Sequence, residues 1–254
     1  GRKIKMNKLL VISWNATFFF IVFAFFHHMY MDFVQPLPFQ YIGQIASYLS
    51  ALPATVVTMF TVISQFYRSK INGSLIPVMF LLGTAGWAIG GFAAVTDATI
   101  SINEVMHNTL WVPAHFHTYM LLGVVPFVLG FLFYLFSPPA DRRGNRLEKA
   151  GLWIFLLGGY GFVTMFYLGG FHSVPRRFSG YSIITAGKVH DIGVLLARIA
   201  VVFTGIVFLG LLLIYLALFM QLLKKRKPTV PVSEGTDIET DPELSLPDTI
   251  EQPV

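Results

Sequence analysis

Two histidine groups stand at the ends of long apolar runs. His27 and His28 are adjacent in FAFFHHMYMDF, and His115 and His117 flank Phe116 in HNTLWVPAHFHTYMLLG. Histidine is the commonest neutral metal ligand, and inside a bilayer it is costly unless something coordinates it. Neighbouring helical residues point ~100° apart, yet two imidazoles can converge on a small ion beside the helix. A pair of interfacial histidines at a helix end would look the same. Residues i and i+2 lie ~200° apart, so His115 and His117 cannot easily share one ion. They can serve two cofactors on opposite sides of one helix. The alternative, one core and one lipid-facing histidine, is the costlier arrangement. A third group is Pro175-Arg176-Arg177 in GGFHSVPRRFSGY. The guanidinium fork suits paired carboxylates such as haem propionates, although a solvated loop pair also fits.

These groups need elements to hold them. The chain of 254 residues is 55% hydrophobic, with 25 Phe. A bilayer core ~30 Å thick takes ~20 apolar residues per helix. Residues 9–31, 40–66, 75–98, 112–136, 149–171 and 192–223 meet that length. They predict an all-α, polytopic bundle of six transmembrane helices over residues 1–223. Gly86, Gly90 and Gly91, and Gly158, Gly159 and Gly161, predict close packing on other helices or on a flat ligand. All seven histidines, which also include His107, His172 and His190, fall at one face of this bundle. We read His172 and His190 as interface anchors.

The net charge of +5 sorts by loop, so it does not indicate nucleic-acid binding. Arg2, Lys3, Lys5 and Lys8, then Arg68 and Lys70, then Arg142, Arg143, Arg146 and Lys149, then Lys224, Lys225, Arg226 and Lys227 share one side. Only Arg176, Arg177 and Lys188 lie on the other. The positive-inside rule puts both termini in the cytoplasm and the histidines toward the outer face. No cysteine is present, which excludes disulfides, Cys-ligated zinc and iron–sulfur clusters. Residues 224–254 read as a basic stop followed by a disordered acidic cytoplasmic tail. The first residue, Gly1, predicts processing or membership of a longer polypeptide. In the second span, Thr55, Thr58 and Thr61 form a polar stripe that could relay protons or merely bond to its own helix. Pro53 should kink that helix. Arg198, inside the sixth span, should face the interior with a partner such as Asp191.

In chain order, HH, HNTxWVPxHFH and VPRR resemble subunit I of the haem–copper oxygen reductases, most closely the B-type branch. The resemblance covers nearly all of residues 8–223 and matches the C-terminal half, helices seven to twelve. It implies that His27 and His28 are two of three copper B ligands. His115 would be proximal to the high-spin haem, and His117 axial to the low-spin haem, with b and a haem types expected. Arg176 and Arg177 would hold propionates, with His107 and Asn108 near the propionates and product water. Asn108 replaces an A-type aspartate, so no magnesium site is expected. Thr55, Thr58 and Thr61 would lie on the proton channel. The third copper ligand, the cross-linked tyrosine and the second low-spin haem histidine come from the family's N-terminal half. That half is therefore an expected partner.

The resemblance implies part of a cytochrome c oxidase in a prokaryotic inner membrane, surrounded by membrane lipid. Oxygen would be reduced to water at the high-spin haem and copper B, with coupled proton translocation. Electrons would come from cytochrome c or a similar donor through a subunit II with a dicopper centre. The rivals are a nitric oxide reductase of the same superfamily, a quinol oxidase, a non-enzymatic haem-binding subunit and a secondary transporter.

Overall fold

The computed structural model describes residues 8–30, 35–58, 67, 74–137, 143–177 and 188–223, and the regular segments among them are helical. Helix α1 (Lys8–Ala24) tightens into a 3-10 turn at Phe25–Met29, and α2 covers Leu37–Thr58. Helix α3 (Leu75–Ala98) is followed by the short α4 (Ile100–Met106). Helix α5 (Trp111–His117) passes through a π segment, Thr118–Val124, into α6 (Val125–Phe136). The bundle closes with α7 (Arg146–Phe171) and α8 (Lys188–Leu223).

Five described segments are long and apolar enough to cross a membrane: Lys8–Met29, Leu75–Ala98, Trp111–Phe136, Arg146–Phe171 and Val189–Leu223. The sixth expected span is α2, which Gln40, Gln44, Ser47 and Ser50 make more polar. Its end beyond Thr58, including Thr61, lies outside the described residues, as do Arg68, Lys70, Arg142 and residues 224–254. Large apolar side chains such as Phe18, Phe92 and Val201 are more than two-thirds exposed. Such surface is tolerated where lipid, not water, is the solvent.

The aliphatic core lies at the end away from the histidines. Leu75, Ile76 and Met79 open α3 and meet Leu129 and Phe133 of α6, Leu152 and Phe155 of α7, and Ile214 and Leu218 of α8. Starts of helices thus meet ends of helices, as an up-and-down bundle requires. A polar clasp closes the same end. Asn145 and Glu148 form a capping box, with Glu148 N–H donating to Asn145 Oδ1 at 2.9 Å and Asn145 N–H to Glu148 Oε2 at 2.6 Å. Gln221 of α8 donates to Glu148 Oε1, and Ser137 after α6 donates to Gln221 Oε1 at 2.8 Å. The fully buried Glu148 thereby receives hydrogen bonds from the start of its own helix and from α8, as a buried carboxyl must.

Two details depart from the uniform spans read from sequence. First, the fourth span changes winding after His117. Pro126 has no N–H for the Leu122 carbonyl, and Val125 N–H reaches back five residues to Met120. A Cβ at Gly86 of α3 would collide with that Leu122 carbonyl, so α3 packs directly on the widened turn. Second, Arg198 is exposed on α8, as is Asp191. At 1.5 Å rise, residues 199–223 cover roughly 37 Å, enough to cross a ~30 Å core on their own. Arg198 therefore sits at the end of the apolar run, where a long cation can reach the interface.

Candidate functional site

The tight 3-10 turn at the end of α1 brings His27 and His28 together, with ring centroids 4.1 Å apart and planes tilted by 32°. His27 is buried and His28 exposed. His27 Nδ1 lies 2.9 Å from Ser47 Oγ on α2. Its Nε2 is buried without a hydrogen-bond partner. An imidazole held at one nitrogen and orphaned at the other suits metal ligation. The imidazoles of His28, His115 and His107 lie within electrostatic reach of His27, so three elements converge here. Among the described residues, no three His, Asp or Glu side chains form a metal-binding group.

His115 and His117 face different neighbours, as their i, i+2 spacing requires. His115 is buried, and its Nδ1 donates to the Gly90 carbonyl of α3 at 3.2 Å. The opposite nitrogen is then the one with a lone pair. His117 Nδ1 donates to the Pro113 carbonyl at 2.7 Å, and its ring lies edge-on to Phe162 and Phe166 of α7. Phe116 between them is more than half exposed. Each imidazole is thus oriented by a backbone carbonyl and leaves Nε2 available as a donor, a set that fits two separate haems.

Trp111 anchors the start of α5. Its ring packs edge-on against Tyr167 and Phe171 at 4.8 and 5.1 Å. A Cβ at Gly170 of α7 would come within 2.6 Å of Trp111 N, so only glycine permits this approach. Thr118 and Tyr167 hydroxyls meet at 3.1 Å about two turns further along from Trp111.

The arginine pair is delivered by the end of α7. Ser173 N–H donates to Gly170 O and Val174 N–H to Gly169 O, at 3.0 and 2.9 Å. Ser173 itself takes φ 57, the left-handed conformation of a Schellman turn. The chain then pairs with the segment before α5. Leu110 N–H donates to Val174 O at 2.8 Å, Arg176 N–H donates to Asn108 O at 2.9 Å, and Thr109 bridges Pro175. Arg176 is half-buried and His107 buried, while Arg177 and Asn108 are exposed. His172 is exposed, and His190 is half-buried at the start of α8.

In α2, Thr55 and Thr58 donate to the carbonyls of Ala51 and Ala54, at 2.8 and 2.9 Å. This is the local bonding pattern. Pro53 lies inside the same helix.

Sequence reasoning passed over Asp97. It is buried in the last turn of α3, receives Asn103 Nδ2–H at its carbonyl at 2.6 Å, and lies within electrostatic reach of Arg176. A carboxylate inside an apolar span was the available signal. Tyr30 was missed as well. It donates to Gln40 O at 2.8 Å and approaches Ala98 O at 3.3 Å.

Comparison with known proteins identifies the family and the fold. Residues 1–202 match the family model described as Cytochrome C and Quinol oxidase polypeptide I. The chain is 28% identical over 211 residues to cytochrome c oxidase polypeptide 1 of Halobacterium salinarum, covering 79% of this chain and 34% of that protein. It is 28% identical over 227 residues to cytochrome c oxidase subunit 1 of Thermus thermophilus, covering 80% and 39%. The chain therefore spans little more than a third of the length of these relatives. A cryo-EM structure of a heme-copper terminal oxidase dimer superposes with a TM-score of 0.66 at 20% identity, over 80% of this chain and 40% of that one, which supports the fold. With residues 1–202 of 254 matched by one family model, the chain belongs to the cytochrome c and quinol oxidase polypeptide I family, the subunit I of haem–copper oxidases.

Proposed function

We propose that this chain is the C-terminal half of the catalytic subunit of a respiratory terminal oxidase. It would reduce oxygen to water with electrons from cytochrome c and couple this to proton translocation. The observation that carries the reading is the buried, orphaned Nε2 of His27 beside His28 and within reach of His115. Such a nitrogen is costly unless a ligand takes its lone pair.

His27 and His28 would hold copper B, His115 the high-spin haem and His117 the low-spin haem. When bound, these groups supply oxygen binding and electron transfer. The chain's own residues fix the geometry. Gly90 O and Pro113 O set the tautomers of His115 and His117, and Phe162 and Phe166 wall off the His117 side. Arg176, backed by Asp97, and Arg177 supply cationic donors for propionates, with His107 and Asn108 beside them. The missing copper ligand and the second low-spin haem histidine would come from the N-terminal half. A subunit carrying a dicopper centre would deliver the electrons. The loop charges favour cytoplasmic termini and a site toward the outer face of a prokaryotic inner membrane.

Metal and haem analysis of the purified complex tests the reading. Two haems, with copper in excess of any dicopper centre, are expected. Non-haem iron in place of that copper would move the assignment to nitric oxide reduction. A quinol-dependent activity without cytochrome c turnover would make the chain part of a quinol oxidase. Absence of haem would sink the proposal.

A further inference from the structure

The Ser47 hydroxyl has one proton and two neighbours. It lies 2.6 Å from the Gly43 carbonyl and 2.9 Å from His27 Nδ1. A carbonyl can only accept, so the proton goes to Gly43 O and the oxygen faces His27 as an acceptor. His27 Nδ1 must then carry the ring hydrogen. The Ala24 carbonyl, also within hydrogen-bond reach of His27, makes the same demand. In a neutral imidazole the lone pair is then left on Nε2, the nitrogen that is buried without a partner.

The fold makes this contact possible through Gly43. A Cβ there would lie 2.8 Å from His27 N and 3.0 Å from Phe26 Cβ. The bare glycine therefore lets the 3-10 turn sit directly on α2. Ser47, one helical turn later, lies on the same face of α2. Both ends of the contact are buried, Ser47 at 6% and His27 at 7% exposure, so water does not substitute for either partner.

We propose that Ser47 is a positioning residue for the metal-ligand histidine. Its hydroxyl oxygen, oriented by Gly43 O, holds His27 in the Nδ1–H tautomer and aims Nε2 at the ion. This inference rests on the oxidase reading of His27. Loss of such an outer partner typically costs 10–100-fold in metal affinity. Because the Ala24 carbonyl remains, the effect of losing Ser47 should fall at the lower end, about tenfold.

The test uses the assembled complex and reads copper retention, not turnover. Ser47→Thr keeps the hydroxyl, and Ser47→Val has the same shape without it. The copper-to-haem ratio is followed during dialysis against a cuprous chelator, together with the infrared stretch of carbon monoxide placed on the copper. The valine variant, with full haem content, should lose copper about tenfold more readily and shift the carbonyl stretch. The threonine variant should resemble the parent protein. Equal retention and equal stretches in the two variants would overturn the role of Ser47. If the valine protein fails to assemble, Ser47→Ala replaces it under the same criterion. A parent complex lacking this copper altogether would instead remove the oxidase reading, so the two failures are distinguishable.

Discussion

The contact of α7 with the start of α5 makes Gly170→Ala a sensitive probe of how α5, the helix proposed to carry the haem ligands, is held. The added Cβ would lie 2.6 Å from Trp111 N, 2.7 Å from Trp111 Cβ and 2.8 Å from Trp111 Cα, where ordinary contact begins near 3.4 Å. Two of these atoms are backbone, so rotamer change cannot relieve the overlap. Helix α5 would have to retreat by roughly 0.8 Å, at the overpacking cost of about 1–3 kcal/mol. His115 and His117 lie four and six residues beyond Trp111 and would move with it. A displacement near 1 Å at a reacting centre can cost on the order of 100-fold in rate. The assay is thermal loss of the haem absorbance of the whole complex, with oxygen uptake measured in parallel. Gly205→Ala on α8 is the control. Nothing lies within 4 Å of its added Cβ, and alanine is favoured over glycine in a helix by up to about 1 kcal/mol. A Gly170→Ala complex that melts and turns over like the control would refute the claim that this contact positions the ligands.

Three further outcomes are expected. His27→Ala should abolish oxygen uptake and remove copper while both haem bands remain, whereas His117→Ala should remove the low-spin band; uptake persisting in His27→Ala would contradict its placement at the reaction centre. Glu148→Ala strips the acceptors from Asn145 N–H and Gln221, costing about 1–3 kcal/mol; the complex should melt earlier, yet its haem spectrum should be unchanged at low temperature because the clasp sits at the opposite end. Thr55→Val and Thr58→Val should leave oxygen uptake near the parental rate, since each hydroxyl spends its proton on its own helix; marked slowing with intact haem spectra would put the stripe on a proton path.

Much of this protein is legible in one dimension because the bilayer imposes a one-dimensional requirement. A span must be long, apolar and self-bonded, so α3, read as 75–98, appears at Leu75–Ala98, and the spans read at 9–31, 112–136, 149–171 and 192–223 appear at Lys8–Met29, Trp111–Phe136, Arg146–Phe171 and Val189–Leu223. The i, i+2 spacing of His115 and His117 dictates opposite faces through helix geometry alone, and the structure turns them to α3 and α7 respectively. The motifs supplied the family for the same reason: ligand identity resides in side-chain type and order.

What the sequence left open depends on contacts between distant segments. The orienter of His115 is a backbone carbonyl at Gly90, which has no side-chain signature. The partner of His27 is Ser47, one of several hydroxyls in α2, selected only when Gly43 lets the turn settle on that helix. Asp97 and Arg176 are 79 residues apart, and the Schellman turn at Ser173 with the bridge from Thr109 to Pro175 brings that loop back to the site. The apolar pattern thus determined which residues enter the membrane. Close packing decided which nitrogen of each histidine faces outward, because a tautomer is fixed by the atom that approaches it.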